Sequence, residues 1–443
     1  MNTESPPSEA AEHQLSRFGQ LQMPRPFRSS WSSEGRSGPW VYISSVIVVS
    51  VLFRGAESRS VNWLLRVVPD DAFYYIGIAR NIASMGISTF DGINRTNGYH
   101  PAWMAVLTLV AHWFSEPVTS IRIALGIALA FHLLSSACLV GVFSRWMPAT
   151  LAWVGGAFWA GNPLALGFAL QGMEASLYIF ALSLCLYIYV SRVDRTLDPH
   201  EQGRSHRALA LFGCGLGLAF LGRTEAIVLV GFVVVGVAAR IGLRPSSVSK
   251  LAALLGAFVG VTLPWSVFSY EQTGHLSQDS GAMKLLWARH SMPRDAPQRC
   301  AQALRYVFGH WVDYPFLDML RMPGSVRGIV NVGLTAAIVA LLVLFLKNRR
   351  FSRISALGLL ALTATTATGL VYGALFSDMQ PWYRAQPGFI LFVESYTIVA
   401  LAGLRYLSRW SRCQTIVGSS LVGLSVLASW TMMNTIDSYP CAP

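Results

Sequence analysis

The chain is 443 residues long, 53% hydrophobic and only 13% charged, with a mean hydropathy of +0.46, and its repeated apolar runs approach the roughly 20 residues that cross a bilayer. That balance excludes a soluble globular protein. The formal net charge of +12 does not argue for nucleic acid, because Lys and Arg sit mostly in short loops between apolar runs, where membrane topology accounts for them.

Residues 1–38 are rich in Ser, Pro, Glu and Arg and lack a long apolar stretch, so they read as a disordered cytosolic tail rather than a signal peptide. The first span runs from about Pro39 to Phe53. Later spans are expected at roughly 120–144, 149–168, 172–190, 208–222, 224–241, 251–270, 328–346, 355–376, 387–406 and 414–433, about eleven in all. Residues 434–443 then form an external C-terminal tail. The fold class is an all-α polytopic membrane protein.

The apolar segment Pro101 to Phe114, bracketed by His100, His112 and Trp113, is short for a span and is read as an interfacial helix. With it left out, the basic segments Arg192 to Arg207, Arg240 to Lys250, Lys347 to Arg353 and Arg405 to Arg412 share the side of the Arg-containing tail. That agreement is the positive-inside rule. The outer face then receives the first loop (about 54–119), the Gln171–Glu174 turn, the Arg223–Glu225 turn, a long loop (about 271–327) and the loop Ser377 to Gln386.

In the first outer loop, Asp70 to Met85 follows Pro69, carries apolar residues at Ala72, Phe73, Ile76, Ala79 and Ala83, and stops at Gly86, the pattern of an amphipathic surface helix. Asp70 and Asp71 open it in a chain sparing of acids. They serve either as cap and dipole complement or as a functional pair. Capping needs only one acid, and Tyr74 and Tyr75 follow each at i+4, where an aromatic ring can stack on a sugar or hydrogen-bond to it.

No Walker-type or dinucleotide-binding glycine motif occurs, which leaves a nucleotide-driven pump or a dehydrogenase without support. Six cysteines (Cys138, Cys185, Cys214, Cys300, Cys413, Cys441) show no metal spacing, although Cys300 and Cys441 both fall outside, where a disulfide would persist. Most of the tryptophans are expected in membrane-interface belts, and the sequon Asn94-Arg95-Thr96 is read as incidental.

The run DDAFYYIGIARNIASMGISTFDG followed by INRTNGYHPAW resembles the first outer loop of bacterial integral-membrane glycosyltransferases of GT-C type, relatives of protein O-mannosyltransferases, lipid A aminoarabinose transferases and mycobacterial arabinofuranosyltransferases. QGMEASLY (171–178), LGRTEA (221–226), TGHLSQDSGAMK (273–284) and QPWYRAQP (380–387) follow in the same order, so the resemblance covers roughly residues 40–410. It implies a GT-C catalytic domain over 39–433 in a bacterial inner membrane, using a polyprenyl-phosphate sugar on the extracytoplasmic side, with a glycan, lipid or protein as acceptor.

The resemblance further implies that Asp70 is the general base for the acceptor hydroxyl and that Asp71 positions the base, the substrate or a metal. A positioned base contributes about 10²- to 10⁴-fold, and a phosphate leaving group needs only its developing charge stabilised. Lys284, Arg384 beside Trp382 and Tyr383, Arg223 and His100 are the candidates for that task, each with the plain alternative of a lipid-headgroup contact or solvation. For His100 a structural role is the alternative. Glu174, at the outer end of a span, is a third functional acid or a dipole partner. Were Asp70, Asp71 and Glu174 to converge, they would form an oxygen-ligand set for Mg²⁺ or Mn²⁺. Glu225 reads as the local ion-pair partner of Arg223.

Two rivals remain. A transporter or flippase of lipid-linked saccharides would use the same charges to bind headgroups, but should show ionisable residues near mid-membrane or inverted repeats. A polysaccharide polymerase or ligase would call for more cationic contacts to its pyrophosphate-linked donor.

Overall fold

The computed structural model describes residues 37–145, 149–197, 205–242, 245–276 and 278–291 continuously, with isolated positions between 297 and 427. The tail at 1–36, the four spans expected from 328 onward and the C-terminal tail therefore lie outside the continuous stretches. Among the described residues the chain is helical, its only β feature an isolated bridge between Thr89 and Arg95.

Helix α1 (Ser37–Glu57) is followed by the short α2 (Val61–Val67), whose N-cap Ser60 accepts the Trp63 N–H. Helix α3 (Asp70–Met85) begins after Pro69, whose fixed φ suits a helix entry, and stops at Gly86 with φ +69°, a left-handed conformation that glycine adopts without Cβ strain. Helix α4 (Pro101–Trp113) has 13 residues and so spans about 20 Å, well short of the about 30 Å hydrocarbon core. It packs against α3 and against α5 (Pro117–Phe143), with Trp103 wholly buried. Glu116 caps α5 by accepting the N–H groups of Val118 and Thr119 at 2.9 and 2.6 Å.

The single span expected at 149–168 is instead two helices, α6 (Ala149–Ala160) and α7 (Pro163–Leu170). Pro163 lacks the N–H that a continuous helix would use, and Asn162 starts α7 afresh by accepting the Ala165 N–H at 2.9 Å. Helix α8 (Ala175–Ile188) continues through a π-helical turn (Tyr189–Val193) and a last turn Asp194–Thr196. Then follow α9 (Ser205–Gly222), α10 (Ala226–Ile241), α11 (Pro245–Thr273) and α12 (Asp279–Ser291).

Among the described residues, five helical segments are long and apolar enough to cross a membrane: Pro39–Glu57, Pro117–Phe143, Ala175–Val193, Ser205–Gly222 and Ser247–Thr273. Their partners are chosen by small residues. On α9, Gly213 and Gly217 stand four apart, and a methyl at Gly213 would overlap the Leu254 carbonyl of α11, while one at Gly217 would come within 2.8 Å of Val261. Close backbone approach of this kind is how helices associate where burial from water provides no drive. One core joins α1 to α5 with α7 and the start of α8; a second joins α8 to α11.

Candidate functional site

Asp70 and Asp71 occupy the first turn of α3, where negative charge complements the helix dipole, and both are exposed. Pro69 makes no side-chain cap; Asp70 Oδ1 accepts the Asp71 N–H at 2.9 Å. One acid is thus enough for the local backbone, and the Asp71 carboxylate has no partner among the described residues. The tyrosines that follow part ways. Tyr74 is 49% exposed and meets Phe90 edge-on at 4.8 Å, whereas Tyr75 is buried and its hydroxyl accepts the His100 N–H at 3.1 Å. Gly77 lets Phe90 lie this close: a methyl there would stand 3.0 Å from the ring.

The strongest electrostatic feature is buried. Arg223, at 0% exposure, sits between Glu174 at 1% and Glu225 at 7%, with Nη1 3.2 Å from Glu174 Oε1 and Nη2 donating to Glu225 Oε1 at 3.2 Å. His100 Nε2 lies 3.7 Å from the same Glu174 oxygen. Glu174 precedes α8 and Glu225 precedes α10, so each acid stands at a helix start, and the arginine that ends α9 reaches both. Arg223 is therefore not the exposed cation expected at the outer surface. A charge this deep is stable only when paired, and here two carboxylates hold it. Trp103 Nε1 donates to the Gly172 carbonyl at 3.0 Å and so anchors the turn carrying Glu174; Gly172 has φ +65°.

A second set of contacts ties the first loop to the segment entering α12. Asn97, fully buried, donates from Nδ2 to Ser269 Oγ at 2.6 Å and accepts the Asp279 N–H at 2.8 Å, while its own N–H donates to Asp279 Oδ2 at 3.1 Å. Gln278 donates to the Tyr99 carbonyl at 2.7 Å and accepts the Thr224 hydroxyl at 3.1 Å. It joins three segments far apart in sequence. His275 Nε2 lies 3.2 Å from Asp279 Oδ1. Burial pushes the Tyr99 phenol up to about 12, opposed by its hydrogen bond with Ser88 and reinforced by the Asp279 charge. The sequence reading did not name Asn97, Gln278 or Asp279, although all three lie inside the segments that carry the resemblance.

Lys284 is half-buried on α12, whereas Trp382, Tyr383 and Arg384 lie outside the described residues. Among the described residues no three His, Cys, Asp or Glu side chains gather as a metal site, so Asp70, Asp71 and Glu174 do not form the shared Mg²⁺ or Mn²⁺ ligand set that their convergence would have made. Cys300 is a free thiol, and Cys441 lies outside the described residues.

No protein-family model and no curated protein matches the chain. Solved structures do. ArnT from Cupriavidus metallidurans bound to undecaprenyl phosphate matches with a TM-score of 0.55 at 17% identity, over 86% of this chain and 62% of that one. The same protein in the apo state matches at 0.55 and 16%, over 91% and 66%. The oligosaccharyltransferase of Archaeoglobus fulgidus in its apo form matches at 0.50 and 14%, over 91% and 56%. The chain spans 56 to 66% of the length of these structures. Identities this low establish architecture: this is a multi-pass membrane protein with the GT-C fold.

Proposed function

We propose that the chain is a glycosyltransferase moving a sugar from a polyprenyl-phosphate donor to an acceptor hydroxyl on the extracytoplasmic face of a bacterial inner membrane. The observation that carries this reading is the Asp70-Asp71 pair, exposed and nearly free of local duties, on a helix anchored in a GT-C fold. Likeness to a protein crystallised with undecaprenyl phosphate supports the donor class.

In this scheme Asp70 takes the proton of the acceptor hydroxyl as its oxygen attacks the anomeric carbon. The new carbon–oxygen bond replaces the bond to phosphate, and the electron pair leaves with polyprenyl phosphate. Lys284 and Arg384 receive that charge, Asp71 orients the base or the sugar, and Tyr74, Trp382 and Tyr383 are the aromatic surfaces for the ring. Glu174, Arg223, His100 and Tyr75 act one layer back: their buried contacts hold the Gln171–Glu174 turn and the first loop in place. A rigid shell of this kind lets a base work without reorganising.

Asp70→Asn removes the base and keeps the shape. In proteoliposomes supplied with lipid-linked sugar and acceptor, transfer should fall at least about 100-fold. Undiminished transfer by this variant would overturn the mechanism, and a wild-type protein that moves the lipid-linked sugar across the bilayer without forming glycoside would favour a transporter.

A further inference from the structure

Between α2, α3 and the start of α5 lies a groove of about 220 Å³, walled by Val61, Leu65, Phe73, Gly77, Ile121 and neighbouring apolar side chains, with Arg80 as its charged residue. Val61 and Leu65 remain 46% and 57% exposed, so the trough is open and greasy at its rim. Its volume is below the about 300–1,000 Å³ that encloses drug-sized ligands, which suits a length of hydrocarbon chain. Arg80 is exposed, and its guanidinium has no ion-pair or hydrogen-bond partner among the described residues. The nearby acid Glu116 is already engaged in capping α5.

We propose that this groove is an accessory site for an anionic phospholipid, one acyl chain in the trough and the phosphate on Arg80. Charge sets the orientation. Asp70 and Asp71 at the start of α3 repel a phosphate, and Arg80, ten residues further along, attracts one. Ten residues of helix separate the two ends by about 15 Å. A phosphate on Arg80 therefore sits toward the opposite end of α3 from the proposed base, and the competition experiment below separates a phospholipid from the polyprenyl leaving group. The site goes beyond the proposed transfer reaction and stands whether or not that reaction is correct.

The full-length protein, delipidated in detergent and titrated with phosphatidylglycerol or phosphatidylcholine under native mass spectrometry, tests this. Phosphatidylglycerol should bind more tightly. Arg80→Gln should weaken it roughly tenfold, one charge-assisted contact's worth, and weaken phosphatidylcholine less, because its choline already offsets the phosphate charge, whereas Leu65→Trp should weaken both and Arg95→Gln neither. Arg80 and Leu65 are exposed, so unchanged elution and melting are expected for these variants. Equal phosphatidylglycerol binding by wild type and Arg80→Gln would overturn the site. So would competitive displacement of phosphatidylglycerol by undecaprenyl phosphate in wild type but not in Arg80→Gln, which would assign the groove to a polyprenyl lipid.

Discussion

Arg223 and Glu174 meet at 3.2 Å with both side chains shut off from solvent, and the same guanidinium reaches Glu225 on its other side. The pair links the end of α9 to the starts of α8 and α10, which makes it a joint of the bundle. Arg223→Met should leave two carboxylates buried without a cation, at a cost of roughly 3 to 5 kcal/mol. A sharp drop in melting temperature and in detergent half-life is expected. The double variant Arg223→Met with Glu174→Gln should recover part of the loss, because it removes one orphaned charge.

Asn97 and Asp279 exchange two backbone-to-side-chain hydrogen bonds across 182 residues of chain. Asn97→Ala keeps its backbone N–H bond to Asp279 but removes the side-chain bonds to the Asp279 N–H and to Ser269, which should loosen the first loop from the segment entering α12. Each lost bond is worth about 1 kcal/mol, and leaving buried partners unsatisfied costs more. Hydrogen exchange should rise together in peptides covering 88–100 and 275–281. A rise confined to one of them would show that the two segments are not coupled through this contact.

Asp91 shapes the turn at 89–95: its carboxylate accepts the N–H groups of Ile93 and Asn94, the Asn94 side-chain amide and the Thr89 hydroxyl. The Ile93 and Asn94 N–H bonds, with smaller help from the side chains, hold its pKa below the usual carboxylate value. A folded-state pKa lowered in this way stabilises above the unfolded value, about 3.9, and the gain disappears as pH falls through the folded value. Asp91→Ala should therefore raise hydrogen exchange in this turn equally at pH 6 and 8. The difference from wild type should shrink only in strong acid.

Gly213→Val places a branched side chain where α9 and α11 touch. Overpacking of this type costs about 1–3 kcal/mol, and the variant should express poorly or melt early. Gly231→Ala on α10, where a methyl would meet nothing within 4 Å, should be neutral or slightly stabilising. Equal melting of the two variants would show that the close α9–α11 approach does not constrain packing.

Several elements were legible without coordinates because their signals are local. Pro69, the apolar spacing and Gly86 delimit α3 at Asp70–Met85, and the long apolar runs mark the spans, since hydrocarbon thickness translates directly into run length. The break at Asn162-Pro163 was equally local and was missed because both flanking pieces are apolar, so hydropathy alone reads through it.

What the sequence determined by itself is the membrane class, the two ends of α3 and the exposed acids at its start, all matters of neighbours within a few turns. Tertiary structure alone decided that Arg223 is buried between Glu174 and Glu225, that Tyr75 holds the His100 backbone while Tyr74 stays open, and that Gln278 joins three segments. The physical reason is burial. An arginine in a polar turn carries the same letter whether it faces water or two carboxylates, and only packing of α8, α9 and α10 removes the solvent that would otherwise satisfy it.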